Sequence, residues 1–470
     1  MTSTRLWEIF HNLDKKEIKE ISKFVRSPYN NNRDDVSKFF EILAFHKIKN
    51  TPLPSSEAIF MQIYDKSMTF SNTQMHHLSS WLLKLIENYF IQSEVKENIP
   101  LQNQILLQSY AKRKLERHFD RHFQFSLQEL NKVNKDAKYY DYLYQLNEDY
   151  FQFHSNQSRL TTYNFQEISD NLDIAYISKK LRSSCFMLSH QILANTQYEL
   201  RIISLILEYI NDYEYTKHPS IGIYYYLYRA MQNEADMKLH FDQFINILKE
   251  HEHEFSSNEL RDIYLLALNI CIKKNNEDQT EFTKLGLELY KKGISQKLLL
   301  KDGVLSRFTF RNIVSFAIKL NDFQWVKNFI DDYSSQIEKE HRESMISFNL
   351  ARLAYAQQDY TQAMLLLQKS DYKDVLLNLA SKTLLLKIYY ELNEFSLLEY
   401  HLDAMKVFLN RHKSIGYHKN NYLALTKFTR KLINLESGKS LLKTKLLEQV
   451  MNTKLLVERS WLINKIKDAQ

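Results

Sequence analysis

An all-α fold is what this sequence predicts, and three observations carry the prediction. Among 470 residues there are only six glycines and five prolines, and the first glycine, Gly222, follows the last proline, Pro219. Hairpins, bulges and tight strand turns draw on glycine for positive φ. A multi-strand sheet therefore lacks its turn chemistry, whereas helices joined by short polar loops do not need it. Apolar residues also recur at three-four spacing in segment after segment, the period of a helix face. Finally, a polar-aromatic turn repeats in the last third of the chain.

Residues 1–100 read as an N-terminal compact helical domain. Leu6, Ile9, Phe10 and Leu13 open it, and Ile18, Ile21, Phe24 and Val25 continue on a helix capped by Asp14. Ser27-Pro28 stops that helix, because proline disfavours α geometry in the residue before it. Val36, Phe39, Phe40 and Leu43 mark the next helix, which the loop Thr51 to Pro54 ends. Ser71 with Gln74 reads as a capping box. Behind it Leu78, Trp81, Leu82, Leu85, Ile86, Tyr89 and Phe90 form one apolar stripe. Pro100 is the expected boundary. Residues 101–219 read as helical hairpins, a degenerate repeat or a linker region, with helical spacing through Ile105, Leu106 and Tyr110, then Tyr139 to Phe151, then Ile202 to Ile210. Polar breaks are expected at Asn156 to Arg159 and at Asn195-Thr196, and His218-Pro219 ends the stretch.

Residues 220–438 hold an internal repeat. Asn321-Asp322-Phe323, Gln358-Asp359-Tyr360 and Asn393-Glu394-Phe395 lie 37 and 35 residues apart. Each follows one apolar helix, precedes another, and is followed three residues after its aromatic by Val326, Ala363 or Leu398. A repeat of this period is the mark of a helical-hairpin solenoid. The pattern resembles the tetratricopeptide-repeat family, most closely at Leu350-Ala351, Asp359-Tyr360, Ala363 and Leu367, and covers residues 308–411. It departs from that family in lacking a closing proline and in placing Val314 and Leu386 at the small-residue positions. Related helical-hairpin families fit as well. Residues 439–470 read as a C-terminal capping helix, with Leu442, Leu446, Val450 and Leu462 among lysines. Pairing with another copy or lying on an anionic lipid surface are its alternatives.

Charge is unevenly placed. The net charge is +7, yet residues 406–445 carry ten basic residues against the single acid Glu436, a local balance of +9. Arg411, Lys413, Lys419, Lys427, Arg430 and Lys431 are its candidates for contact with an anionic surface. Tyr417, Tyr422 and Phe428 interleave with them, as in a nucleic-acid interface where bases stack on rings. The periodic run Tyr422, Leu425, Phe428, Leu432 and Ile433 reads equally as a buried face. Cys185 and Cys271 sit on apolar helical faces far apart, so two buried thiols are expected and not a disulfide. The first residues have Glu8 within their apolar stretch and no small-residue cleavage site. The most apolar stretch, Val375 to Tyr390, is too short and too polar to span a bilayer. A cytoplasmic protein is the resulting expectation.

Catalytic patterns are scarce. Gly438-Lys439-Ser440 lacks the earlier glycine and the strand that a phosphate-binding loop requires, and a helix-terminating turn accounts for it. His118 and His122 share a helix face, but Arg113, Arg117 and Arg121 nearby would repel a metal. His251 and His253, two apart, point in different directions. The reading is therefore a non-enzymatic protein with no cofactor and no metal, which docks a protein segment. In the family it resembles, the first helix of each hairpin lines a concave groove that binds extended peptides. Carried over, that face places Arg311 and Lys319, Arg352 and Tyr355, and Lys387 and Tyr390 on the partner. Basic heads beside rings suit an acidic segment. Nucleic acid held by residues 406–445 is the alternative.

Overall fold

Thr4, Asp14, Ser55 and Ser71 start four of the first five helices in the computed structural model. Each accepts a hydrogen bond from a backbone N–H of the helix it precedes, where such donors otherwise lack partners. The structure describes residues 4–64, 68–155, 163–194, 196–232, 234–368, 372, 374–412, 418–435, 440–453 and 456–469. The expected break at Asn156 to Arg159, as well as Asn195, Lys413, Tyr417, Glu436, Gly438 and Lys439, lies outside them. Among the described residues there are 23 α-helices and one pair of two-residue strands. The fold is all-α, and among the described residues no helix is long and apolar enough to cross a membrane.

The chain divides into two units, one of residues 1–133 and 138–173, the other of residues 134–137 and 174–470. The first unit starts with α1 (Arg5–Asn12), α2 (Lys15–Arg26), α3 (Asp34–Lys49), α4 (Ser56–Ile63) and α5 (Asn72–Glu97). Phe10, Ile21, Val25, Val36, Phe39, Phe60, Leu78, Leu82 and Ile86 close one core with no exposed surface. Trp81, expected in this stripe, is 46% exposed and lies under the Arg33 guanidinium at 5.3 Å. The reciprocal capping box forms at Asp14 and Glu17; at Ser71 only the side-chain-to-Gln74 N–H half is present (3.3 Å).

Pro100 stands in the first turn of α6 (Ile99–Lys112), where its missing N–H costs no helical hydrogen bond. It therefore opens a helix that packs on α5 and does not end the unit. With α7 (Glu116–Leu130) and α8 (Ala137–His154) this helix encloses Leu107, Phe119, Phe123 and Leu146. His122 is half-buried against the Asn103 carbonyl (3.2 Å), and burial lowers its pKa. α9 (Phe165–Ala194) contains the division between the units.

The second unit continues with α10 (Ile203–Asp212), α11 (Pro219–Gln232), α12 (Met237–His251), α13 (Ser257–Asn276) and α14 (Thr280–Ser295). It goes on through α15 (Arg307–Lys319), α16 (Phe323–Tyr333), α17 (Arg342–Ala356), α18 (Tyr360–Gln368), α19 (Val375–Glu391) and α20 (Phe395–Arg411). It ends with α21 (His418–Ile433), α22 (Ser440–Asn452) and α23 (Arg459–Asp468). Successive helices pack in pairs, and α15 also meets α17, which meets α19.

The repeated turn has a backbone cause. Asn321, Gln358 and Asn393 all have positive φ (57°, 65° and 57°). After each, a backbone N–H returns to the carbonyl five residues back: Asp322 to Ala317 (3.1 Å), Asp359 to Ala354 (2.9 Å) and Glu394 to Tyr389 (2.9 Å). This is the Schellman closure, here made without glycine at the left-handed position. The same closure ends helices at Asn50, Lys114, Asp278 and Lys297, for example with Gln279 bonded to Lys274 (3.1 Å). Val326, Ala363 and Leu398, three residues beyond the aromatics, have no exposed surface.

Gly303 and Gly286 each answer a demand of the geometry. Asp302 (φ 53°) and Gly303 (φ 76°) form the two-residue turn of the small hairpin Leu300–Lys301 and Val304–Leu305. Asp-Gly is the usual chemistry of such a turn, and the sequence analysis passed over it. Gly286 lets α14 approach α15: a Cβ there would stand 2.3 Å from the Phe316 ring, and Phe316 is itself 1% exposed. Gly286→Ala is accordingly expected to destabilise this unit by about 1–3 kcal/mol through overpacking, despite the gain in helix propensity. Urea unfolding of the variant with an unchanged midpoint would contradict it.

Both cysteines are buried and free. Burial raises the thiol pKa of each, that of Cys271 to about 12.

Candidate functional site

The helices that open successive hairpins bring the six expected docking residues to related positions but not to one open surface. Arg352 projects from α17 and is half-buried. One Nη donates to the Arg311 carbonyl (3.3 Å) and to Asn349 Oδ1 (3.5 Å), and the guanidinium lies 5.8 Å from the Phe348 ring. Burial, then the charge of Arg311 on α15, lower its pKa to about 10, with Glu458 opposing. Among the described residues no carboxylate is hydrogen-bonded to either arginine. Like charges held together in a partly desolvated place raise the local potential for an anion.

The other four expected residues are engaged within the chain. Lys387 is mostly buried and pairs with Glu458 (2.9 Å), while its ammonium lies 4.9 Å from the Tyr355 ring. The Tyr355 hydroxyl donates to Glu391 (3.2 Å). Lys319 pairs with Asp278 (2.7 Å) and donates to the Asn275 carbonyl. The Tyr390 ring meets Trp461 edge-on at 5.3 Å.

Their partners come from the end of the chain, which the sequence analysis read as a single helix of residues 439–470. The structure holds two helices there. α22 ends at Asn452, and Glu458 has left-handed backbone (φ 54°, ψ 32°) at the start of α23. The polar pair Asn452-Thr453 was the signal for that break. A non-glycine residue in this conformation costs energy that its surroundings must offset. Burial works against the Glu458 charge, but Lys387, then Arg352 and Lys319, outweigh it and hold the carboxyl below its usual range. Beyond it, Ser460 donates to Asp278, Trp461 Nε1 to Glu391 (3.2 Å) and Lys465 to the other oxygen of Glu391 (2.7 Å). Residues 458–465 thus contact α19 and the turn that ends α13. Glu458, Trp461 and Lys465 were missed in the sequence because nothing local ties them to partners 70 to 74 residues earlier.

The basic segment divides. Arg411 is exposed at the end of α20 and Lys419 is half-exposed in α21. Lys427, Arg430 and Lys431 do converge, with Lys406 and Lys445, on a groove of about 800 Å³. Of the rings thought able to stack on bases, Phe428 is 6% exposed. Tyr422 is half-buried and feels the charges of Arg311 and Glu458.

One carboxyl pair lies apart. Glu259 accepts from the Tyr224 hydroxyl (2.9 Å) and stands beside Asp136, which is 4% exposed. Burial first, then Asp136, raise the Glu259 pKa to about 7. Tyr224 itself has no exposed surface.

No protein-family model, characterised protein or solved structure matches this chain.

Proposed function

We propose that this chain is a non-enzymatic scaffold whose hairpins stack as a tetratricopeptide-like solenoid and hold an acidic segment of a partner protein on the inner face. The observation that carries this reading is the pairing of Arg311 with Arg352 without a hydrogen-bonded carboxylate. An incoming carboxylate relieves the repulsion between the two guanidiniums and can chelate either with two hydrogen bonds. Support comes from the spacing of three of the closed turns, Asn321, Gln358 and Asn393, each followed by a polar-aromatic step into the second helix of a pair. The chain's own Glu458 demonstrates the chemistry in miniature: a carboxylate beside Lys387, followed three residues later by a buried indole.

Displayed random peptides selected on the full chain test the proposal. The expected outcome is enrichment of Asp and Glu, with the best synthetic peptide losing about tenfold or more in affinity against Arg311→Gln. The same peptide with its acids changed to amides should bind no better to either protein. Selection of peptides without acids, or equal affinity for the variant, overturns the reading.

A further inference from the structure

A second surface, independent of the inner face, has the form of an incomplete helix bundle. Leu423, Thr426, Lys427, Arg430 and Lys431 line the groove from α21 at positions i, i+3, i+4, i+7 and i+8, which is one helix face about 12 Å long. Leu442, Lys445, Leu446 and Gln449 line it from α22 at i, i+3, i+4 and i+7, and Leu402 with Lys406 lines it from α20. Two neighbouring helices therefore turn matching faces toward one space of about 800 Å³. Its floor is apolar: Leu402 is 1% and Leu446 4% exposed, and Leu442 on the wall is 47% exposed. Among its described lining residues five are basic and none is acidic. Arg430 is matched by Asp403 (2.6 Å) and Lys431 by Gln449 (2.6 Å). Lys406, Lys427 and Lys445 have no hydrogen-bonded partner among the described residues.

We infer that this groove docks an amphipathic helix of a partner protein, two to three turns long, with leucine-like side chains on one face and carboxylates flanking them. Three features select that occupant. The cations come from three helices and are spread over two turns, so no single lipid headgroup or small anion reaches them all. The leucine floor offers nothing to a sugar-phosphate backbone, and the nearby ring of Phe428 is buried, leaving no stacking platform. A helix laid between α21 and α22 covers the leucines and sets its acids against Lys406, Lys427 and Lys445, the helix-in-groove mode of recognition.

The test uses the full chain and a labelled synthetic peptide, with leucines at i, i+3, i+4 and i+7, glutamates elsewhere, and a scrambled peptide of equal composition. Fluorescence anisotropy should show saturable binding of the patterned peptide, about tenfold or more tighter than the scrambled one. Lys427→Glu with Lys445→Glu should weaken it by a similar factor, and Leu442→Asp as well, with far-UV melting of each variant superimposable on that of the parent. Lys427→Gln with Lys445→Gln gives an intermediate loss and serves if the reversal melts early. Arg311→Gln should leave this binding unchanged, which separates this groove from the inner face. Equal binding of the scrambled peptide overturns the inference. So does indifference to the substitutions, or preference of the chain for phosphatidylglycerol vesicles or single-stranded DNA over the peptide.

Discussion

Trp461→Ala is expected to weaken the seating of α23 by about 3–5 kcal/mol, the usual range for removing a buried tryptophan. The indole is 9% exposed and packs in one cluster with Leu386, Leu398, Leu402, Leu462 and Ile466. Its loss opens a cavity there, leaves the Tyr390 ring with Phe395 but without its nearer edge-on neighbour, and removes one of the three donors to Glu391 among the described residues. Tyr355 and Lys465 still reach that carboxylate, so the charge is not stranded and the apolar term dominates. Because α23 ends the described chain, the effect should be local. Amide exchange of α23 should rise by about two to three orders of magnitude or more while that of α1 to α5 stays unchanged. Equal protection of α23 in both proteins would show that the indole does not hold it.

Glu259→Gln carries the second large effect, and its sign depends on pH. In the unfolded chain a glutamate titrates near its ordinary 4.5, whereas in the fold burial and Asp136 raise the Glu259 pKa to about 7. Between these values the folded protein holds the proton that the unfolded chain has released. The resulting contribution to stability is fully present below about 4.5, declines as pH rises and is lost through about 7. At about 1.4 kcal/mol per pH unit it amounts to on the order of 3 kcal/mol. Glutamine keeps an acceptor for the Tyr224 hydroxyl and carries no charge. The variant should therefore nearly match the parent at about pH 4 and exceed it at about pH 8, by up to about 3 kcal/mol. Urea unfolding at the two pH values decides, and a variant whose stability falls with pH as steeply as the parent's would exclude Glu259 as the source.

Much of the local structure was legible because it is written over short distances. Asp14 and Ser71 cap helices for the reason any oxygen-bearing residue does so, and Ser27-Pro28 stops one by steric conflict. The three polar-aromatic turns were found by spacing alone. What spacing left out was their left-handed residue, and so the turns closed the same way without a following aromatic, such as Asp278. Trp81 shows the limit of a stripe: three-four spacing marks one face, but its width is set by what packs there, and Arg33 lies over that ring. The pair Lys387 and Arg352 was chosen as a docking surface, and its neighbour Glu458 was unreadable because its contact with Lys387 spans 71 positions.

Composition and periodicity, by themselves, determined that this chain is helical, where several of its helices start or stop, and that a polar-aromatic turn recurs near its end. These follow from turn chemistry and a 3.6-residue period, which act within a few residues. Only the tertiary structure decided which charges meet: that Glu458 lies against Lys387, that Arg311 and Arg352 stand together, and that Lys406, Lys427 and Lys445 share a groove. Electrostatic pairing and burial depend on distance in space, and distant segments are brought together only once the helices have packed.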